Sequence, residues 1–239
     1  MRLPRALCFD LDDTLLDPSG FRASVVRTCE RIAASHSTLD AARLLDANGR
    51  AWQSYWPEVE QRWELGEIDG ARVGLEAWRR TLRACDCDDE AVAVLARDTH
   101  SAFARESHRL YDDVHEILAA AQRARMPLAL VTNGSTDTQR EKLQALGLDG
   151  AFDVVVISGE VRVRKPDPRV FALALRDLGV AAQDVWHVGD NPQTDVAGAK
   201  AAGLTAVWLN RRQRALRETE PRPDLEIRTL SSLVESLLG

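Results

Sequence analysis

The segment Phe9-Asp10-Leu11-Asp12-Asp13-Thr14-Leu15 holds the residues of this sequence best placed to do chemistry. It grows out of Ala6-Leu7-Cys8-Phe9, a continuous apolar run short enough for a buried strand. Residues two apart in extended chain point to the same side, so Asp10 and Asp12 can face one site together. Paired carboxylates at a strand end suit a divalent cation, or a nucleophile beside a general acid/base. A polar turn after a strand would read the same way, because turns are rich in Asp. The rest of the chain has to decide.

Three further segments do so. Leu128-Ala129-Leu130-Val131 is a second apolar run, and it ends in Thr132-Asn133-Gly134-Ser135. Thr132 offers a hydroxyl, and Asn133 and Gly134 offer backbone N–H groups, at a strand-to-helix junction suited to an anion. Lys165-Pro166-Asp167-Pro168 opens a helical pattern that runs on through Val170, Phe171, Ala174 and Leu178. Val185-Trp186-His187-Val188 is a third strand-like run, ending in Gly189-Asp190-Asn191-Pro192-Gln193-Thr194-Asp195. In an open parallel α/β sheet, strand ends and helix starts are where ligands bind. Of the 31 basic residues only Lys142, Lys165 and Lys200 are lysine, so a lysine at 165 departs from the habit of the chain. A compact ammonium on a flexible stem does what a guanidinium fork does poorly.

In this order the four segments resemble the motifs of the haloacid dehalogenase superfamily of hydrolases, and within it the phosphatases, over essentially the whole chain. Asp10-Leu11-Asp12-Asp13-Thr14 is similar to the first motif, Thr132-Asn133-Gly134 to the second, Lys165 to the third, and Gly189-Asp190 with Asp195 to the fourth. The resemblance implies attack on phosphorus by Asp10, giving an aspartyl-phosphate. Asp12 then protonates the leaving alkoxide and later deprotonates the attacking water. Lys165 neutralises the nucleophile and the phosphoryl oxygens, which Thr132, Asn133 and Gly134 also bind. It implies Mg²⁺ as cofactor, held by the carboxylates of Asp10 and Asp190 and the backbone carbonyl of Asp12. Asp195 acts there through water or by orienting Lys165.

Val154 to Val161 leading to Lys165, and Gly198 to Gly203 followed by Val207-Trp208-Leu209-Asn210, resemble the branch with a helical cap. That branch includes pyrimidine 5′-nucleotidases and N-acylneuraminate-9-phosphatases. The expected function is Mg²⁺-dependent hydrolysis of a small phosphorylated metabolite, a nucleoside monophosphate or a sugar phosphate. A 2-haloacid dehalogenase would use the same nucleophile on carbon, but that group lacks a carboxylate where this chain has Asp12. A phosphosugar mutase would need a second phosphate anchor in the cap, for which Arg22, Arg62 and Arg72 are candidates. Against a non-catalytic phosphate-binding relative stands the complete set of motif residues.

Composition bounds the partners. The 239 residues carry 45% hydrophobic and 28% charged side chains, as in an ordinary globular protein. The net charge of −6 argues against nucleic acid as a partner. No apolar stretch approaches the roughly 18 residues of a membrane span, and no signal-peptide core precedes the first strand. The expectation is a cytoplasmic monomer or homodimer with no membrane partner. Arg211-Arg212-Gln213-Arg214 reads as a solvated surface segment. Cys8, Cys29, Cys85 and Cys87 lack the spacing of a zinc or redox pair and read as reduced thiols. The five histidines share no common spacing and are not expected at the site.

The elements that position these groups follow from apolar patterning. Residues 17–107 lack strand-like runs and read as four helices, at 21–34, 39–61, 71–84 and 89–106. Trp52, Tyr55, Trp56, Trp63 and Trp78 all lie there, mostly as core, with one or two free to hold a base or sugar. Beyond 108, strand and helix alternate: strands at 128–131, 154–157, 185–188 and 206–209, helices at 114–123, 137–146, 169–178 and 194–202. Short links between alternating elements imply an α/β fold, a Rossmann-like parallel sheet with helices on both faces. The expected division is a core of 1–16 and 108–239 with an α-helical cap, 17–107, inserted. Residues after 209 read as loop up to a terminal helix near Leu230.

Overall fold

The computed structural model describes residues 3–238. Strands β1 (Ala6–Phe9), β4 (Leu128–Thr132), β5 (Val154–Ile157), β6 (Val185–Gly189), β7 (Thr205–Leu209) and β8 (Leu225–Ile227) form one sheet in the order β5-β4-β1-β6-β7-β8. All its pairings are parallel, as alternating strands and helices require. β1 is central, with β4 on one side and β6 on the other. The three strands that end in the sequence motifs are therefore neighbours, and their C-terminal ends share one edge.

The continuous apolar runs are explained by burial on both faces. Alternate residues of β1 point opposite ways. Leu7 and Phe9 join a cluster with Ile117 of helix α5 (Val114–Arg123) and Leu233 of α10 (Ser231–Leu238). Ala6 and Cys8 join Phe171 and Ala174 of α8 (Pro168–Leu178). Helix α6 (Thr136–Ala145) follows β4, and a short helix α7 (Ser158–Val161) follows β5.

Between β2 (Leu16–Asp17) and β3 (Arg109–Leu110) lie helices α1 (Ser19–Ser35), α2 (Ala41–Glu64), α3 (Gly70–Arg83) and α4 (Glu90–Ser107). Asp40, Asp69 and Asp89 cap the last three by accepting backbone N–H groups of their first turns. These helices bury clusters of their own, one around Ile32, Leu44, Trp78 and Leu82, another around Tyr55, Val59 and Val73. The chain's two crossings between insertion and sheet touch each other. β2 and β3 pair antiparallel, Arg109 binds Asp17 at 2.8 Å, and a side chain at Gly20 would collide with Ser107.

Three sequence expectations are corrected. The stretch after 209 is not all loop: β8 adds to the sheet edge, with Leu225 opposite Val207. Residues 194–202 are not one α-helix, because a π-turn at Pro192–Val196 precedes α9 (Ala197–Ala201). The arginine cluster is a solvated segment only in part: Arg212 and Gln213 are exposed, but Arg211 and Arg214 are partly buried. Arg211 forms a bidentate pair with Asp113 at 2.9 and 2.8 Å, donates to the Thr14 carbonyl, and stacks over Tyr111. Arg212 pairs with Asp13, and Arg214 with Glu220. All four cysteines are free. Among the described residues no helix is long and apolar enough to cross a membrane.

Candidate active site

Asp10 is the first residue beyond β1, and its backbone N–H donates to Val188 of β6 at 3.0 Å. Its carboxylate is buried and accepts from Lys165 Nζ at 2.6 Å. The same ammonium donates to Asp195 Oδ1 at 2.7 Å. Lys165 is thus held between two carboxylates. Asn133 fixes its main chain from both sides: the Lys165 N–H donates to Asn133 Oδ1 at 2.8 Å, and Asn133 Nδ2 donates to the Lys165 carbonyl at 3.1 Å.

Asp195 is saturated. Oδ1 accepts from Lys165 and from His187 Nε2 at 3.0 Å, and Oδ2 accepts the Asn191 N–H at 3.0 Å. With both oxygens engaged, it fits a residue that orients Lys165 better than a metal ligand. His187, set aside on sequence grounds, is part of this arrangement. Its Nδ1 lies 3.3 Å from Cys8 Sγ, and its ring stands edge-on to Phe171. Burial pushes the Cys8 thiol up and the His187 imidazolium down. Cys8 therefore keeps its proton and donates to a neutral His187, whose Nε2–H is left for Asp195.

Asp190 is the opposite case. No described side chain donates to its carboxylate, while Trp208 Nε1 donates to its backbone carbonyl at 2.8 Å. Carboxylate oxygens of Asp10, Asp190 and Asp195 all lie within 4.8 Å of one another. Burial, then the neighbouring Asp195 and Asp10, push Asp190 up to about 8. Asp10 rises to about 7, by burial and Asp195 against the pull of Lys165. Burial would raise Asp195 too, but Lys165 and His187 outweigh it and hold that carboxyl well below the usual range. Lys165 is held protonated against its burial by Asp10 and Asp195. Fully ionised, these three carboxylates would face one ammonium with an excess of two negative charges. That excess and an all-oxygen donor set fit a hard divalent cation. Asp10 and Asp190 have oxygens free to hold it.

Asp12 turns toward α6. Its Oδ1 and Oδ2 accept from Lys142 Nζ at 2.7 and 2.9 Å, and Oδ2 also accepts from Gln139 Nε2 at 3.0 Å. Burial works to raise this carboxyl, but Lys142 and Gln139 outweigh it and the net shift is downward. Gln139 also donates to Thr132 Oγ1 at 2.6 Å, tying the ends of β1 and β4 together. The Gly134 N–H donates to Ser158 Oγ at 2.9 Å. Gly134 has φ 146°, and a Cβ there would lie 2.8 Å from the tip of the Trp63 ring. Only glycine fits.

Lys142, Gln139, Ser158 and Glu64 did not stand out in the sequence. Glu64, the last residue of α2, accepts from Asn133 Nδ2 at 3.0 Å and binds Arg164, and its carbonyl accepts from Ser158 Oγ. α3 is docked as well: its Gly70 N–H donates to Asp137 of α6 at 2.9 Å. Between the inserted helices and α6 lies a cavity of about 850 Å³. Asp12 and Lys142 are in its wall, while Asp10, Asp190 and Lys165 are not, so the cavity meets the chemistry through Asp12. Its size is that of a small-molecule site.

The family model "haloacid dehalogenase-like hydrolase" matches residues 4–203. The phosphoserine phosphatase of Thermus thermophilus is 38% identical, covering 93% of this chain and 95% of its own. The N-acylneuraminate-9-phosphatase of Mus musculus is 29% identical, covering 96% and 92%. The L-2-haloacid dehalogenase of Xanthobacter autotrophicus superposes with a TM-score of 0.68 at 25% identity, covering 99% of both chains.

Proposed function

The chain belongs to the haloacid dehalogenase-like hydrolases, and we propose that within them it is a Mg²⁺-dependent phosphatase of small phosphate monoesters. The observation that carries this reading is the placement of Asp12. A second carboxylate stands at the end of β1, in the cavity wall, while Asp10 stands with Lys165 on the sheet side. Attack on carbon needs no such group. Transfer of phosphorus between two oxygens does, because a proton must reach the leaving oxygen and then be taken from water. The phosphate esters in the names of two relatives support the same class.

Asp10 attacks phosphorus with one carboxylate oxygen, the bond to the leaving oxygen breaks, and Asp12 gives that oxygen its proton. For that half Asp12 carries a proton, and Lys142 must release one of its oxygens. In the second half the ionised Asp12 takes a proton from water, whose oxygen attacks phosphorus while the bond from phosphorus to Asp10 breaks, releasing inorganic phosphate and returning Asp10. Lys165, steadied by Asp195 and Asn133, faces the negative charge in both halves. Thr132 and the backbone of Asn133 and Gly134 line the phosphoryl side, with the Gly134 N–H exchanging Ser158 for a phosphoryl oxygen. Asp10 and Asp190, with the Asp12 carbonyl, would hold Mg²⁺, and Asp195 stands behind them. When bound, the ion supplies positive charge to the phosphoryl oxygens. Helices α1–α4 act as a cap that excludes water and selects the leaving group. Arg22, Arg62 and Arg72, candidate anchors for a mutase, are absent from the cavity wall.

The test is hydrolysis of acetyl phosphate and a panel of alkyl phosphates with Mg²⁺. A chelator is expected to abolish turnover and Mg²⁺ to restore it. Asp10→Asn is expected to fall by more than about a thousandfold. Full activity in chelator, or more than a few per cent in the variant, would overturn the mechanism.

A further inference from the structure

The cavity wall is aromatic, and its charges are spent. Trp52, Trp56 and Trp63 are spaced four and seven residues apart on α2, so they share a face. Their rings form a ladder, with centroids 6.0 Å apart from Trp52 to Trp56 and 5.3 Å from Trp56 to Trp63. All three are only half-buried and line the cavity. The ladder ends where Trp63 meets Gly134 of the phosphate loop.

Every charged group in the wall already has a partner. Arg97 binds Asp98 at 2.6 Å, and Lys142 binds Asp12. Asp17 binds Arg109, and Glu141 binds Arg105 at 3.2 Å. Asp137 accepts the N–H groups that start α3. Burial holds His100 down at about 4, and burial with Lys142 lowers His108, so both are neutral. A carboxylate or ammonium on the substrate would have to break one of these pairs, or compete with Asp12 for the Lys142 that turnover needs, to be matched. An apolar ring has only to displace water from tryptophan.

We propose that the leaving group is an uncharged alcohol with an aromatic or similarly broad apolar body, stacked along Trp52 and Trp56 with its oxygen at Asp12. This deepens the phosphatase reading and rests on it.

The experiment compares three phosphates with the Mg²⁺-loaded enzyme. They are 2-(1-naphthyl)ethyl phosphate, O-phosphoserine and acetyl phosphate, the first two being primary alkyl esters. The naphthyl ester is expected to show a kcat/KM at least about tenfold above phosphoserine. Trp56→Ala should cost the naphthyl ester about tenfold more than acetyl phosphate. Trp56→Phe, which keeps a ring, should restore most of that preference. Turnover of acetyl phosphate with phosphoserine equal to or better than the naphthyl ester overturns the inference and leaves the phosphatase reading standing. A naphthyl preference unchanged in Trp56→Ala overturns the stacking. No turnover of any of the three overturns both.

Discussion

At the residue scale, the site is a set of groups whose charges are set by their neighbours. Asp10 is raised to about 7 while Asp195, sharing the same lysine, is depressed. The difference lies in donors: Asp195 has three and Asp10 one. Asp10→Asn should therefore leave thermal stability unchanged or slightly higher, since it removes a buried negative charge from a crowded cluster. A thermal melt run beside the kinetics checks this, and a large fall in Tm would show that the Lys165–Asp10 pair holds the fold. Asn133 is the second case. Its backbone suggested phosphate binding, yet its side chain ties both main-chain groups of Lys165. Asn133→Ala should lower kcat by about 10–100-fold through a misplaced Lys165. An unchanged kcat would show that Asp10 and Asp195 position the lysine without help.

At the element scale, what was legible in the sequence follows from burial. β1, β4 and β6 lie inside the sheet, so they read as unbroken apolar runs with their functional residues at the ends. β8 escaped because it has three residues at the edge, with Glu226 pointing outward. Glu64, Gln139 and Lys142 escaped for another reason. Lys142 is 130 residues from Asp12 and Glu64 is 69 from Asn133, and each lies on a helix whose pattern announces only its buried face. Arg211 was misread because a run of arginines looks solvated until its acceptors are known. It binds Asp113, which also accepts the Leu230 N–H at 2.7 Å, so one carboxylate joins α5, the β7–β8 connection and the start of α10. Burial works to raise Asp113, but Arg211 and Leu230 outweigh it, so the folded pKa lies below the unfolded one. The stabilisation is fully present above the unfolded value, about 3.9, and is lost as pH falls through the folded value. Arg211→Ala should cost about 3 kcal/mol at neutral pH. It should also flatten the acid side of the stability profile. Denaturant midpoints measured from neutral pH into the acid range check both, and parallel profiles for variant and wild type would remove Asp113 from the acid response.

At the scale of the whole molecule, the inserted helices are joined to the sheet in two unlike ways. One is covalent: the crossings at β2 and β3 pair with each other, so the chain enters and leaves through a single narrow joint. The other is a non-covalent seam, where Glu64 meets Asn133, Arg164 and Ser158, Gly70 meets Asp137, and Arg105 of α4 meets Glu141 of α6. A body held by one joint and one polar seam opens by breaking the seam. Glu64 is the centre of that seam and is largely buried, with burial raising its carboxyl against the pull of Arg164. Removing its carboxylate strands the donors of Asn133 and Arg164, at a cost of about 1–3 kcal/mol. Because the inserted helices keep their own apolar clusters, that cost should fall on closure rather than on unfolding. Glu64→Ala should therefore raise KM for a bulky ester more than for acetyl phosphate, which needs little from the cap. Hydrogen exchange should speed up in residues 133–135 and 158–165, while the amides of α1 and α4, which pack on each other, stay protected. Uniform loss of protection across α1–α4 would mean that Glu64 supports the fold of the insertion itself, and the seam would not be the element that opens.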